Sequence, residues 1–154
     1  MSFRMLSAPS SGWVSFQLLG TNIYELSYLD DIPFEWVEQA INGLRTDSPF
    51  VVRGNLEPTR FLCLVSYYNC HIIMENERDN DDAEGVMHEY SHTGMLSFCQ
   101  SLHDDIKNNL DSWVQWLSSR KDNSERERAL TEQLDILQEL IDLKSAKGFT
   151  RYIG

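Results

Sequence analysis

The five residues from His88 to His92 read HEYSH, which matches the zinc-binding pattern H-E-x-x-H. On a helix, positions i and i+4 share a face, so His88 and His92 would bind one zinc ion while Glu89 polarises a metal-bound water. This chemistry is that of a zinc-dependent hydrolase. The sequence leaves three candidates for a third ligand, with no spacing rule to choose among them: His71, His103 and Asp104.

The residues around the motif favour a strand over a helix. Gly85 and Gly94 flank it, and a glycine costs about 1 kcal/mol in a helix interior. Ser91 and Thr93 prefer caps and turns to helix centres. In a strand, four residues at about 3.3 Å each would place the two histidines roughly 13 Å apart, too far for one metal ion. We therefore expect Val86–His92 to be strand or irregular, without a metal cofactor, and zinc hydrolysis is the alternative function.

An acidic segment, ENERDNDDAEG, precedes the motif and predicts a solvated loop over residues 76–85. Residues 75–89 contain seven acidic residues and one basic residue, so more than half of the net charge of −11 lies there. Such a charge disfavours nucleic acid and anionic membranes and favours a basic protein partner. The acidic side chains of this segment are the predicted partner-binding residues, and they would steer a partner and mimic phosphate. They are Glu75, Glu77, Asp79, Asp81, Asp82 and Glu84. The second choices are the acidic residues at the first helix: Asp30, Asp31 and Glu35.

The length and composition of the chain predict one cytoplasmic domain over residues 1–154, which begins with a polar segment over residues 1–12. No stretch is apolar over a length that would span a membrane, and the first residues lack the continuous apolar run of a signal peptide. Cys63, Cys70 and Cys99 are widely spaced and odd in number, so we expect reduced, buried thiols.

The first half of the chain is strand-like, with one helix inserted. Trp13–Leu19 and Ile23–Tyr28 flank three turn residues and so predict a hairpin. Acidic residues and Pro33 then open a helix that runs to Leu44, and Pro49–Arg53 is a short strand.

Residues 60–75 predict either one long strand or a hairpin that bends at residues 67–69, and two helices follow at about 94–119 and 124–147. Strands followed by helices predict an α+β fold: an antiparallel sheet of about five to six strands with one helix inserted early and two long C-terminal helices packed on one face. The last helix has a broad apolar stripe, so we expect it to pack on the preceding helix or, alternatively, to form a homodimer.

The predicted elements follow one another in a definite order between about Trp13 and Leu117. A hairpin comes first, then a helix beginning IPFEWVEQAINGL, then the strands PFVVRG and RFLCLVSYYNCHIIMENE, and last the acidic segment. This layout resembles the immunity proteins that bacteria pair with contact-dependent or polymorphic toxins. The resemblance implies a non-enzymatic inhibitor that places acidic side chains in the basic active site of a toxin, for example a nuclease. An acidic interaction domain without an inhibitory role is the other alternative.

Overall fold

Two antiparallel sheets and four helices make up the computed structural model, which describes residues 3–75, 86–116 and 123–147. In chain order the elements are β1 (Trp13–Phe16), β2 (Tyr24–Ser27), α1 (Ile32–Thr46), β3 (Phe50–Asn55), β4 (Arg60–Val65), β5 (Cys70–Glu75), β6 (Val86–Ser91), α2 (Met95–Asn108), α3 (Leu110–Val114) and α4 (Ser124–Lys147). The α+β fold predicted from the sequence is confirmed.

The six strands divide between a two-stranded hairpin and a four-stranded sheet of order β3-β4-β5-β6. Residues 60–75 form the predicted hairpin rather than one long strand, because the chain turns between Ser66 and Asn69, whose backbone N–H and C=O are joined at 2.8 Å. In the four-stranded sheet every neighbouring pair is antiparallel. The sheet therefore grows by successive hairpins and leaves β6 at one edge.

The helix predicted at about 94–119 is two helices in the structure. α2 ends at Asn108, and the side chain of Asn109 donates to the carbonyl of Asp105 at 3.2 Å before α3 begins. Asparagine competes with helical hydrogen bonding in this way, so the break at the Asn108-Asn109 pair has a local cause. Residues 117–119 of the predicted helix lie outside the described residues.

The main core lies between one face of the four-stranded sheet and the helices. The sheet contributes Phe50, Phe61 and Ile72, and the aromatic rings of Trp36 from α1 and Phe98 from α2 stack at 6.3 Å between centroids. Within the described residues, no helix has the combination of length and apolar character needed to cross a lipid bilayer.

The last helix closes one side of the core, as predicted. α4 packs on both α1 and α2, and its stripe is buried. At its C-terminal end the ammonium of Lys144 reaches the carboxylate of Asp47 at 2.6 Å. The buried positions are Leu130, Leu134, Leu137 and Ile141. Homodimer formation through this helix stays a prediction.

Candidate functional site

The first four HEYSH residues lie on an edge strand, and His92 follows its last residue. β6 covers Val86–Ser91 and pairs with β5 from Glu75↔Val86 to Cys70↔Ser91, which confirms the predicted strand. Since side chains alternate along a strand, His88 projects from one face of the sheet and Glu89 from the other. His88 as a metal ligand and Glu89 as a base would need to lie on one face of a helix, and these residues do not form a helix. The zinc hydrolase stays a prediction of the motif alone.

Glu89 holds two parts of the fold together. Its carboxylate accepts the hydroxyl hydrogen of Tyr24 and hydrogen bonds from the backbone N–H (3.2 Å) and side-chain amide (3.4 Å) of Asn22. Burial, and then the hydrogen bond and negative charge of Glu89, raise the pKa of Tyr24 far above the ordinary phenol value. Glu89 thus fastens β6 to the β1–β2 hairpin, which is a structural role.

His71, His88 and His92 form a row with Tyr90 on the face of the sheet opposite to Glu89. Nδ1 of His71 and Nε2 of His88 lie 2.9 Å apart, the ring of Tyr90 meets His71 edge-on at 5.0 Å, and it meets His92 edge-on at 4.9 Å. Within the described ranges, no group of three or more histidine, cysteine or acidic side chains is arranged to hold a metal ion. His103, a predicted third ligand, is buried in α2 with Nδ1 2.8 Å from the neighbouring Asp104.

The face that carries this row is the one turned away from the core, and we call it the open face. Core side chains come from the alternate positions of the same strands, such as Val52, Cys63 and Ile72. Three aliphatic side chains occupy the middle of the open face, a fourth lies beside them on the edge strand β3, and polar or aromatic side chains line the rest of the face. The aliphatic side chains are Leu62, Leu64 and Ile73 in the middle and Val51 on β3. The polar and aromatic side chains are Arg53, Asn55, Arg60, Glu75, His71, His88 and Tyr90.

A cleft of about 540 Å³ borders one end of the open face, where Glu75 ends β5. The guanidinium of Arg60 lies 2.5 Å from the Glu75 carboxylate, and this hydrogen bond lowers the pKa of Glu75. On the other side of the cleft, burial raises the pKa of Asp30, an effect that Arg53 partly offsets. Both ions of the Arg60–Glu75 pair are exposed, so the pair adds little to stability.

Of the predicted partner-binding acids, five lie outside the described residues: Glu77, Asp79, Asp81, Asp82 and Glu84. The acids at the first helix have contacts within the fold. Asp31 receives two hydrogen bonds from Arg126, at 2.7 and 3.1 Å, and Glu35 accepts the backbone N–H of Asp31 at 3.0 Å. The indole N–H of Trp116 donates to the carbonyl of Asp30 at 2.8 Å. Asp31 and Glu35 therefore stabilise the start of α1, and a partner would find them already engaged.

The open face was missed by the sequence-based interpretation, although a signal for it exists. β4 is apolar at every position from Phe61 to Val65, which is typical of a strand covered on both faces. Only one of those faces is covered by the described helices. On the other face the side chains of Leu62 and Leu64 stay half-buried.

Comparison with known proteins identifies no relative, since no protein-family model, curated protein or solved structure matches this chain. A function must therefore be inferred from the chain's own residues.

Proposed function

We propose that this protein is a non-enzymatic, acidic inhibitor that binds a cationic protein, such as a toxin nuclease, through the open face and the acidic segment at residues 75–85. The observation that carries the proposal is the pairing of Glu75 with Val86 at the end of the sheet. Because these two residues are neighbours, both ends of the acidic segment join the sheet beside the open face. The apolar surface thus adjoins the two ends of a segment that carries a net charge of −5, out of −11 for the whole chain.

The composition of the open face supports binding to a protein. Interfaces commonly have an apolar centre and a polar rim, and Leu62, Leu64 and Ile73 lie at the centre here, with arginine, histidine and tyrosine around them. Four strands about 4.8 Å apart and six residues long at about 3.3 Å per residue offer roughly 400 Å² of flat area. A stable interface buries about 800 Å² on each partner, so the adjacent acidic segment would supply much of the remainder.

Charge and apolar area would have separate effects in this arrangement. The acids of residues 75–85 would accelerate the encounter with a basic partner, an effect that salt screens over about 8 Å at physiological ionic strength. The aliphatic side chains of the open face would slow dissociation, because desolvated contacts at the centre of an interface dominate affinity.

The first experiment uses the gene directly upstream of the coding sequence, where we expect a toxin with a basic C-terminal domain. Induction of that domain alone should arrest growth, and co-expression of this chain should restore it. If the neighbouring product is harmless, or if growth stays arrested on co-expression, the inhibitor proposal is wrong.

The second experiment measures association of the purified pair at low and physiological salt. Asp79→Asn/Asp81→Asn/Asp82→Asn should lower the on-rate at low salt by about tenfold or more. The matched control is Glu132→Gln/Asp135→Asn/Glu139→Gln, which changes the charge equally on exposed positions of α4. Equal slowing by both triple variants would mean that only the overall net charge matters.

The third experiment tests the open face. Leu64→Glu introduces a charge at its aliphatic centre and should raise the dissociation rate by about 100-fold, in line with the loss of a central contact. Leu143→Glu, on an exposed position of α4, is the control for adding the same charge elsewhere. Normal dissociation of the Leu64→Glu variant would remove the open face from the interface.

A further inference from the structure

The histidine pair on the open face has an arrangement that the HEYSH motif does not describe. His71 and His88 come from different strands, and the register places Ile73 opposite His88 and Tyr90 opposite His71, so the two histidines are diagonal neighbours. Their ring centroids are 5.0 Å apart and their facing nitrogens only 2.9 Å apart. The rings therefore meet end to end, with one nitrogen donating a hydrogen bond to the other.

We propose that His71 and His88 form a two-imidazole site for a divalent transition metal ion of the Cu²⁺, Ni²⁺ or Zn²⁺ class. The ion would take the position between the facing nitrogens, the proton of the donating ring would move to the outer nitrogen of that ring, and water would complete the coordination of the ion. This proposal is independent of the proposed inhibitor function, because it requires only these two side chains.

The distance between the two nitrogens fits this chemistry. With metal–nitrogen distances of about 2.0–2.1 Å, two cis ligands of a square-planar or octahedral ion lie about 2.9 Å apart, and two ligands of a tetrahedral ion about 3.3 Å apart. The observed 2.9 Å matches the cis arrangement of Cu²⁺ or Ni²⁺. Zinc would require the strands or side chains to separate by a few tenths of an ångström. Cu²⁺ also stands above Zn²⁺ and Ni²⁺ in affinity for nitrogen ligands, so we expect Cu²⁺ to bind most tightly.

Binding also requires both rings to turn, so that their lone pairs converge on the ion instead of on each other. His88 is exposed on the edge strand and is free to reorient. The ring of Tyr90 packs nearly at right angles to His71 and restricts it, which reduces the entropy lost when the metal binds. The same tyrosine ring stands between His71 and His92, so His92 is outside the site.

The test is isothermal titration calorimetry of untagged, chelator-treated protein with NiCl₂ and with CuCl₂. We expect one ion per chain, and His71→Gln or His88→Gln should each weaken binding by about tenfold or more, because a single imidazole loses the advantage of chelation. His92→Gln is the matched control and should bind like the wild type. Thermal melts without metal should show that all three variants fold equally well.

Two further measurements keep the outcome decisive. ¹H–¹⁵N spectra of the histidine side chains should change first at His71 and His88 on addition of Ni²⁺. The variant Asp79→Asn/Asp81→Asn/Asp82→Asn should bind the ion unchanged. Unaltered affinity in both His71→Gln and His88→Gln, or loss of binding in the acidic variant alone, would overturn the proposal. Neither result would affect the inhibitor proposal, which is tested with the toxin domain.

Discussion

Glu89 of β6 accepts the phenolic hydrogen of Tyr24 of β2, and this contact joins the edge of the four-stranded sheet to the separate hairpin. The same carboxylate receives the backbone and side-chain N–H groups of Asn22. The glutamate that the H-E-x-x-H pattern would use as a base is therefore a structural acceptor here.

Removal of the Tyr24 hydroxyl should weaken this connection. Tyr24→Phe keeps the ring packed against Phe61 but deletes a hydrogen bond to a charged acceptor, so we expect the free energy of unfolding to fall by about 1.5–3 kcal/mol. Urea denaturation followed by circular dichroism measures the change. Tyr68→Phe, at an exposed position, is the control and should be neutral within about 0.5 kcal/mol. If both variants unfold alike, the contact with Glu89 does not stabilise the fold.

Arg126 joins α4 to the start of α1 and to α3. Its guanidinium donates to both carboxylate oxygens of Asp31 and to the carbonyl of Val114 at 2.8 Å, and it lies 4.6 Å above the centroid of the Phe34 ring. Arg126→Lys keeps the charge but cannot make the two parallel bonds to the carboxylate, so it should cost about 1–2 kcal/mol of stability. Arg128→Lys, two residues later and exposed, should cost almost nothing. A neutral Arg126→Lys variant would show that charge alone is sufficient here.

Leu137 tests the role of α4 in the core. It is fully buried, so Leu137→Ala should lower the free energy of unfolding by about 2–5 kcal/mol. Leu143, which is 46% exposed on the same helix, provides the control Leu143→Ala, with an expected change below about 0.5 kcal/mol. Thermal melts combined with light scattering separate a core role from dimerisation. A Leu137→Ala variant that melts normally but has half the wild-type mass would place the residue in a dimer interface instead.

Local patterns were sufficient to predict most elements and the packing of α4 on α2, but not the register between β5 and β6. The α4 stripe and the strand at Val86 were predicted because periodicity and flanking glycines act over a few residues. The sequence offered His71 as one of three possible partners of His88 but could not select it. Their contact depends on the register between β5 and β6 across ten intervening residues, and a slip of one residue would move His88 to the other face. The break at Asn109 was missed because the apolar spacing continues through it.

Asp105 gives a prediction about pH. Its Oδ2 accepts the backbone N–H groups of Met5 (2.7 Å) and Leu6 (2.9 Å), and so fixes the start of the described chain to α2. Burial raises the pKa of Asp105 despite these donors and the nearby charge of Arg4, which act in the opposite direction. A raised pKa means that the folded state retains the proton at a pH where the unfolded state has lost it. The ionised form therefore lowers stability as the pH rises above the ordinary range of an aspartate.

Asp105→Asn should separate the hydrogen bonds from the charge, because the asparagine oxygen can accept from the same two N–H groups. We expect the variant to gain stability relative to the wild type between about pH 4 and about pH 7, as the aspartate ionises. Urea denaturation at both pH values measures this difference. Asp135→Asn, at an exposed position of α4, is the control and should show no such trend. If the free energy of unfolding of the wild type instead rises relative to that of the Asn variant as the pH rises, the N–H donors of Met5 and Leu6 outweigh burial and hold the pKa of Asp105 down.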